Sequence, residues 1–371
     1  MLWVFIFLAV LAAAGAAFAF LVSRFYRLGP VKALAGDSKK RRLSIGVLCV
    51  VLLFAAAWLA MGSMNALVCM IHLVLFWLLC DLLFWCVRRL RGRSPGRNAA
   101  AALAFAVTAV YLSAGWVLAN RVWRTDYIVE TDKEAGSLRI VHFADSHIGT
   151  TFDGEGFARY VAEMQALSPD VVLITGDYVD DDTSKADMDA ACAALGTLQT
   201  TYGVYFSFGN HDKGYFNNDR RGYDGDDLIA ELGKNGVTVL QDESVLLDDR
   251  FYIIGRQDAS EDTRGAARAP IGELVRGLDR DKFIIVMDHQ PGDYENEAAA
   301  GVDLVLSGHT HGGQLLPITY VGEWIGENDR TYGMETRGST RFIVTSGISD
   351  WALWFKTGCK SEYVVIDVKG K

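Results

Sequence analysis

The 371-residue sequence has only six cysteines and no Cys-x-x-Cys spacing among them. Cys49, Cys69, Cys80 and Cys86 lie in apolar segments, leaving Cys192 and Cys359 elsewhere. This pattern excludes a thiolate zinc site and a disulfide framework. Cys192 falls in an expected helix and reads as a small buried residue. Acidic residues are scarce in the first third. Residues 1–125 carry 14 Lys+Arg against 2 Asp+Glu, a net charge of +12. Residues 126–371 reverse the balance, 22 against 43, for a net −21. An acidic globular portion repels phosphate backbones, so no nucleic-acid binding is expected. The same charge suits a protein that binds divalent cations and needs them to accept an anionic substrate. No internal repeat or low-complexity tract is present.

What the first third has instead is four apolar runs, 2–22, 43–61, 66–87 and 98–119. Each approaches the ~20 residues a helix needs to cross a bilayer. A signal peptide does not account for the first, because its basic residues come after the apolar run and not before it. Four transmembrane helices over residues 1–120 are therefore expected. The loop between the first and second runs holds Arg24, Arg27, Lys32, Lys39, Lys40, Arg41 and Arg42. The loop between the third and fourth holds Arg88, Arg89, Arg91, Arg93 and Arg97. The middle connection, around Ser63-Met64-Asn65, is uncharged. The positive-inside rule puts both basic loops in the cytoplasm, and the rest of the chain after residue 120 outside it. Arg121 and Arg124 pull weakly the other way. The expectation is a multi-pass protein of the cell membrane with an extracytoplasmic globular domain. His72 and Asp81 lie within the third run and are read as helix-packing groups, Asp81 within reach of Arg88 and Arg89.

After a linker at 121–137 the texture changes to short apolar strands alternating with amphipathic helices. Strands are expected at 138–144, 170–175, 203–208, 237–240, 244–247, 251–255, 283–288, 302–307, 341–346 and 362–368. Helices are expected at 154–167, 184–198 and 226–234. Alternation early and consecutive strands later predict an α/β domain with a mixed sheet or two packed sheets over 138–371.

Five segments then share one property: they place ligand-type side chains just after a strand. They are Asp145-Ser146-His147, Gly176-Asp177-Tyr178-Val179-Asp180, Gly209-Asn210-His211-Asp212, His289, and Gly308-His309-Thr310-His311. They use five of the seven histidines. Any one of them is an ordinary turn. Together they gather carboxylates, an amide and imidazoles at one sheet edge, without a thiolate, which favours Zn, Mn or Fe. The ligands are too many for one ion. Two ions ~3.5–4 Å apart would use them and clamp both oxygens of a phosphoryl transfer.

The ordered set Asp-x-His, Gly-Asp-x-x-Asp, Gly-Asn-His-Asp, His, Gly-His-x-His resembles the calcineurin-like metallophosphoesterases, over roughly residues 138–368. That resemblance implies a four-layer αββα sandwich and a dinuclear centre at the strand ends. It implies that Asp145, His147, Asp177 and His311 hold one divalent ion. Asp177 would bridge to a second, held by Asn210, His289 and His309. His211 would protonate the leaving oxygen or steady the phosphate, oriented by Asp212, and Asp180 would support the ligands from behind. A bridging water acidified by both ions would be the nucleophile. The Gly-His-Thr-His-Gly-Gly-Gln form is similar to that of a bacterial membrane-associated subgroup that includes lipid-nucleotide pyrophosphatases. That subgroup's tail commonly has a glycine-rich turn, an Arg and a Pro-Glu pair. Here it reads Gly347-Ile348-Ser349-Asp350-Trp351-Ala352-Leu353-Trp354-Phe355-Lys356, so its substrate does not transfer.

The expected function is a membrane-anchored phosphoesterase cleaving a phosphodiester, pyrophosphate or phosphomonoester. A lipid-linked phosphate and a soluble nucleotide both remain open as substrates. From another class, a receptor-like protein could keep the fold and the ions without turnover, although the intact ligand set and His211 argue against it. Trp351, Leu353, Trp354 and Phe355 have two readings, a loop folded into the core or a loop at the bilayer interface.

Overall fold

The computed structural model describes residues 2–92, 96–214 and 221–371, with side-chain surroundings from Ala12 onward and excluding 263–264. Arg93, counted above in a basic loop, lies outside the described residues. The chain divides into two compact units, Met1–Ala114 and Gly115–Lys371.

The first unit holds α1 (Leu2–Tyr26), α2 (Gly29–Ala35), α3 (Lys39–Arg91) and most of α4 (Arg97–Asn120). The four expected helices are thus corrected in one respect: runs 43–61 and 66–87 both fall within α3. A straight helix of 53 residues would be ~80 Å long, more than twice the thickness of a bilayer's hydrocarbon core. It is not straight. Gly62, at φ 78° and ψ 168°, leaves the helical region, a conformation that costs glycine little. Val50 and Leu73 would be ~35 Å apart on an unbroken helix, yet they share one apolar cluster with Leu21, Trp77 and Ala104. The chain therefore doubles back at Gly62. Asn65 Nδ2 donates to Met61 O at 3.0 Å, satisfying a carbonyl beside the break. By length and composition α3 and α4 can cross a membrane, while the described apolar part of α1, Ala12–Tyr26, is shorter. Asp81 pairs with Arg24 at 2.7 Å, a partner from another helix in place of the expected Arg88 or Arg89. His72 is buried, with Nδ1 2.8 Å from Val68 O one turn back.

The second unit contains β1 (Trp123–Glu130), β2 (Ser137–Phe143), α5 (Gly154–Gln165), β3 (Val171–Thr175), α6 (Lys185–Leu195) and β4 (Val204–Ser207). It continues with α7 (Gly225–Lys234), β5 (Val237–Val239), β6 (Glu243–Leu247), β7 (Phe251–Gly255), β8 (Phe283–Met287) and β9 (Leu304–Ser307). β10 (Gly333–Arg337), β11 (Thr340–Val344) and β12 (Glu362–Lys369) complete the strands. Two six-stranded sheets result, ordered β1-β12-β2-β3-β4-β5 and β10-β11-β9-β8-β7-β6. β2, β3, β4 and β5 run parallel, as do β7, β8, β9 and β11.

Alternate residues of each central strand enter different cores. Ile140, Leu173 and Ile366 face Ile253, Ile285 and Leu306 between the sheets. Phe143, Ile174 and Phe206 pack with Phe157, Val161, Ala191 and Leu228 of α5–α7 on the outer face. On the far side Ile284, Val286 and Val305 pack with Ile271 and Tyr294. The order is helix, sheet, sheet, helix. Strands buried on both faces read as unbroken apolar runs, which is why β3, β8 and β9 were plain in the sequence. Asp153, Ser184 and Asp224 each cap a helix N-terminus with a side-chain oxygen.

Two strands were not expected. β1 lies inside the 121–137 stretch read as a linker, and pairs in parallel with β12 from Trp123↔Glu362 to Glu130↔Lys369. It is an edge strand with alternating exposure, so its composition stays mixed. β10 is the other sheet's edge, half polar for the same reason.

Candidate metal centre

The parallel strands end in register. Phe143 is level with Ile174, Thr175 with Ser207, Met287 with Leu306 and Ser307 with Val344. Each expected ligand follows one of these ends by a few residues, so the two sheets deliver them to one edge. The loops must then turn sharply. Asp145, His147, Asp177, His309 and His311 all have positive φ, between 36° and 69°. Non-glycine residues hold that conformation only where surrounding contacts enforce it, and such strain gathers at functional sites. Two glycines make the turns possible by their lack of a side chain. A Cβ on Gly209 would lie 2.3 Å from Asp177 Oδ1, and one on Gly308 2.6 Å from Asp145 Oδ2.

The seven expected ligands converge. Donor atoms of Asp145, His147 and His311 lie within 4.8 Å of one another, and so do those of Asp177, His289 and His309. His147 Nε2 is 3.2 Å from His311 Nε2 and 3.6 Å from Asp177 Oδ2. Asp177 Oδ2 is 3.1 Å from His289 Nε2, so this carboxylate stands between the two sets. Asn210 Oδ1 lies 2.9 Å from His309 Nδ1. The far nitrogens are held from behind. His289 Nδ1 donates to Thr175 O at 2.7 Å, which turns Nε2 toward Asp177. His147 Nδ1 faces Asp180 Oδ2 at 3.2 Å, with the same consequence.

The electrostatics show how tightly these groups are packed. Burial pushes the Asp145 carboxyl up to about 6, against the pull of His289. Burial also opposes ionisation of Asp177, but His289 and His147 beside it hold it well below the usual carboxylate range. Burial and His289 push His309 down to about 4. His311 is likewise lowered, by burial and by His147. Neutral imidazoles and ionised carboxylates are the ligating forms. Buried nitrogen and oxygen donors with no thiolate fit Mn, Zn or Fe, so the residues present suit two divalent ions.

Of the two residues assigned to catalysis, one role needs correction. His211 does lie at the edge of both sets, its ring 5.1 Å from that of His147. Asp212 does not orient it. The two oxygens of Asp212 accept four backbone N–H groups, from Asp177 (2.9 Å), Tyr178 (2.7 Å), Val179 (3.1 Å) and Gly209 (2.7 Å). It staples two ligand loops together. The carboxylate beside His211 is Asp180, with Oδ1 3.5 Å from Nδ1. Burial disfavours the His211 cation, yet Asp180 and Asp177 outweigh it and raise its pKa.

Two further groups went unrecognised in the sequence. Asp350 is buried, with Oδ1 4.0 Å from His311 Nδ1, and accepts from Gln314 Nε2 at 2.8 Å. Lys356 is fully buried, donating to Ser346 O at 2.6 Å and Ser349 O at 3.0 Å, 3.6 Å from Asp350 Oδ1. Asp350 follows the end of β11 just as the ligands follow theirs, a signal that was legible. Trp351 puts its ring 5.4 Å from that of His211. Within the 351–355 cluster Phe355 is buried, as the core reading expects, while Trp351 and Trp354 are exposed. Beside the site opens a cavity of about 200 Å³, lined among others by Trp116, Asn120, Thr150, Thr151, Asp350 and Trp354.

Residues 138–313 match the family model of calcineurin-like phosphoesterases. An uncharacterized metallophosphoesterase of Campylobacter jejuni is 27% identical over 277 residues, covering 72% of this chain and 71% of that one. Another from Aquifex aeolicus is 29% identical over 251 residues, covering 66% of this chain and 91% of its own length. A transmembrane protein with a metallophosphoesterase domain from Danio rerio is 30% identical over 289 residues, 71% of this chain and 63% of that protein. The matched segment holds every residue of both donor sets, and the chain thus carries a calcineurin-like phosphoesterase domain and is a metal-dependent phosphoester hydrolase.

Proposed function

We propose that this protein is a membrane-anchored phosphoesterase that cleaves a phosphodiester or pyrophosphate with two divalent ions, on a substrate with an apolar portion. The observation that carries the catalytic reading is the position of Asp177 between two donor sets, with His211 at their rim. Asp145, His147, Asp177 and His311 would hold one ion, and Asp177, Asn210, His289 and His309 the other. Such ions supply Lewis acidity toward the phosphoryl group and the attacking water. The chain's own residues do the rest. His211, held by Asp180, is placed to give a proton to the leaving oxygen. Asp212 fixes the spacing of the loops that bear Asp177 and Asn210. The adjoining cavity, lined by Trp116, Trp354, Asp350 and Thr151 among others, offers room for the non-phosphate part of the substrate. Its mixed lining supports an amphiphile, such as a lipid-linked phosphate.

The membrane reading draws on α3 and α4, which are long and apolar enough to cross a bilayer, and on the transmembrane relative. The reversal at Gly62 supports two passes within α3. The basic loops support a catalytic unit outside the cytoplasm. A reporter active only outside the cytoplasm, fused after Lys371, should give signal, and a signal only from a cytoplasmic reporter would reverse the orientation.

The central test replaces Asp177→Asn. Hydrolysis of bis-p-nitrophenyl phosphate should fall to background, with metal content reduced and thermal unfolding little changed. Near-wild-type turnover with two ions still bound would refute the shared-carboxylate centre.

A further inference from the structure

Among the described residues of the second unit, thirteen large apolar side chains are exposed. Scattered singly they would need no explanation. They are not scattered. Six belong to one stretch: Leu316, Ile318, Tyr320, Val321, Trp324 and Ile325, with Trp324 72% and Ile325 66% exposed. Four more are Trp351 and Trp354, on the loop before β12, and Trp116 and Val117, near the end of α4. Hydrogen bonds tie these three segments together. Thr357 N donates to Gln314 O at 2.8 Å, Leu316 N to Thr357 Oγ1 at 3.0 Å, and Lys356 N to Gly115 O at 3.0 Å. The stretch 315–325 carries a single charge, Glu323, and its carboxylate is turned back to accept the Thr331 N–H at 2.5 Å.

We infer that the ledge formed by 316–325 with Trp351 and Trp354 is a lipid-docking surface, which rests in the headgroup layer and opens the catalytic cavity toward the bilayer. The occupant is lipid for three reasons. Trp and Tyr beside Leu and Ile match the interface, where a ring can be apolar on its body and polar at its tip. The third segment of the surface ends α4, itself a candidate membrane span, so the ledge continues an element that is already apolar enough for lipid. The only charge on the stretch is hydrogen-bonded to the Thr331 N–H, which lowers the cost of bringing it to a bilayer. Trp354 belongs to the ledge and lines the cavity, so a substrate embedded in lipid reaches Asp350, 4.0 Å from His311, without leaving its leaflet. This inference rests on the membrane reading above and adds to it the surface that meets the lipid.

The test uses the full chain in vesicles of phosphatidylcholine with phosphatidylglycerol. A photoreactive p-benzoylphenylalanine replaces, one at a time, Trp324, Ile318, Val110 and Leu246. Val110 is an exposed residue of α4, and Leu246 an exposed residue on edge strand β6. After irradiation, mass spectrometry of the peptides identifies what each probe has captured. Phospholipid adducts at 324, 318 and 110 and none at 246 are expected. An adduct at 110 with none at 324 or 318 overturns the docking inference and leaves the membrane reading standing. No adduct even at 110 overturns both. A crosslink from 324 or 318 to a second copy, in place of lipid, also overturns docking. Positions 324 and 318 report independently, and a thermal melt of each variant excludes one that fails to fold.

Discussion

The two units bury polar groups in opposite ways. In the first unit buried or half-buried polar side chains pair off locally. Arg24 meets Asp81, His72 meets the carbonyl of Val68, and Asn65 meets that of Met61. Many of its large apolar groups face outward around one small buried cluster, with Leu59 87% exposed. In the second unit the apolar side chains fill three cores, and the imidazoles and carboxylates of the two donor sets converge on a single edge. On the membrane reading proposed above, the difference reflects the solvent each unit meets. Where the surroundings are apolar, a polar group gains most by closing on its nearest neighbour. Where water covers the outside, a protein can hold several imidazoles and carboxylates close together only by crowding them with loops under strain, which is what a metal site requires. The ledge at 316–325 belongs to the second unit and has the surface of the first.

Five substitutions break or sharpen this contrast, beginning with the largest effect. His211→Ala should lower turnover about 10²–10⁴-fold while both ions stay bound, because it removes a proton donor and no ligand. The loss should shrink for substrates with good leaving groups. Steady-state assays beside metal analysis decide the point, and a missing ion would make His211 a ligand instead. Phe157→Ala, in the outer core of the second unit, should cost about 3–5 kcal/mol in denaturant unfolding of that unit. A cost under about 1 kcal/mol would mean that this core is loosely packed. Asp180→Asn should reduce turnover about 10–100-fold, since it acts by orienting His147 and His211. Asp212→Asn offers the contrast: its loss should appear in thermal unfolding as well as in rate, because it braces backbone. The smallest effect belongs to the first unit. His72→Phe should leave turnover unchanged, and a substantial loss would link the helices to catalysis.

The candidate donor segments could be read without a structure because each sits just after an apolar run. A buried parallel strand announces itself by composition, and the residue that follows it lies at the sheet edge whatever the rest of the fold does. The segments holding Asp145, His147, Asp177, Asn210, His289, His309 and His311 came from that local rule, while the division of these residues between two ions came from the family resemblance. The partners of His211 did not. Asp180 and Asp212 are both carboxylates close in sequence to a ligand, and only the path of two loops makes one face the imidazole and the other the backbone.

The same division runs through the fold. Helix and central-strand periodicity is written in neighbouring residues, so the amino-acid sequence by itself determined the apolar runs, the alternation of strands and helices, and the chemistry of the strand ends. Edge strand β1 depends on β12, more than two hundred residues away, and its mixed composition carries no sign of that pairing. The reversal at Gly62 required one backbone angle, and the exposure of Trp324 required knowing what fails to cover it. Tertiary structure decided these, because long-range pairing and burial are properties of the whole chain's path and have no local signature.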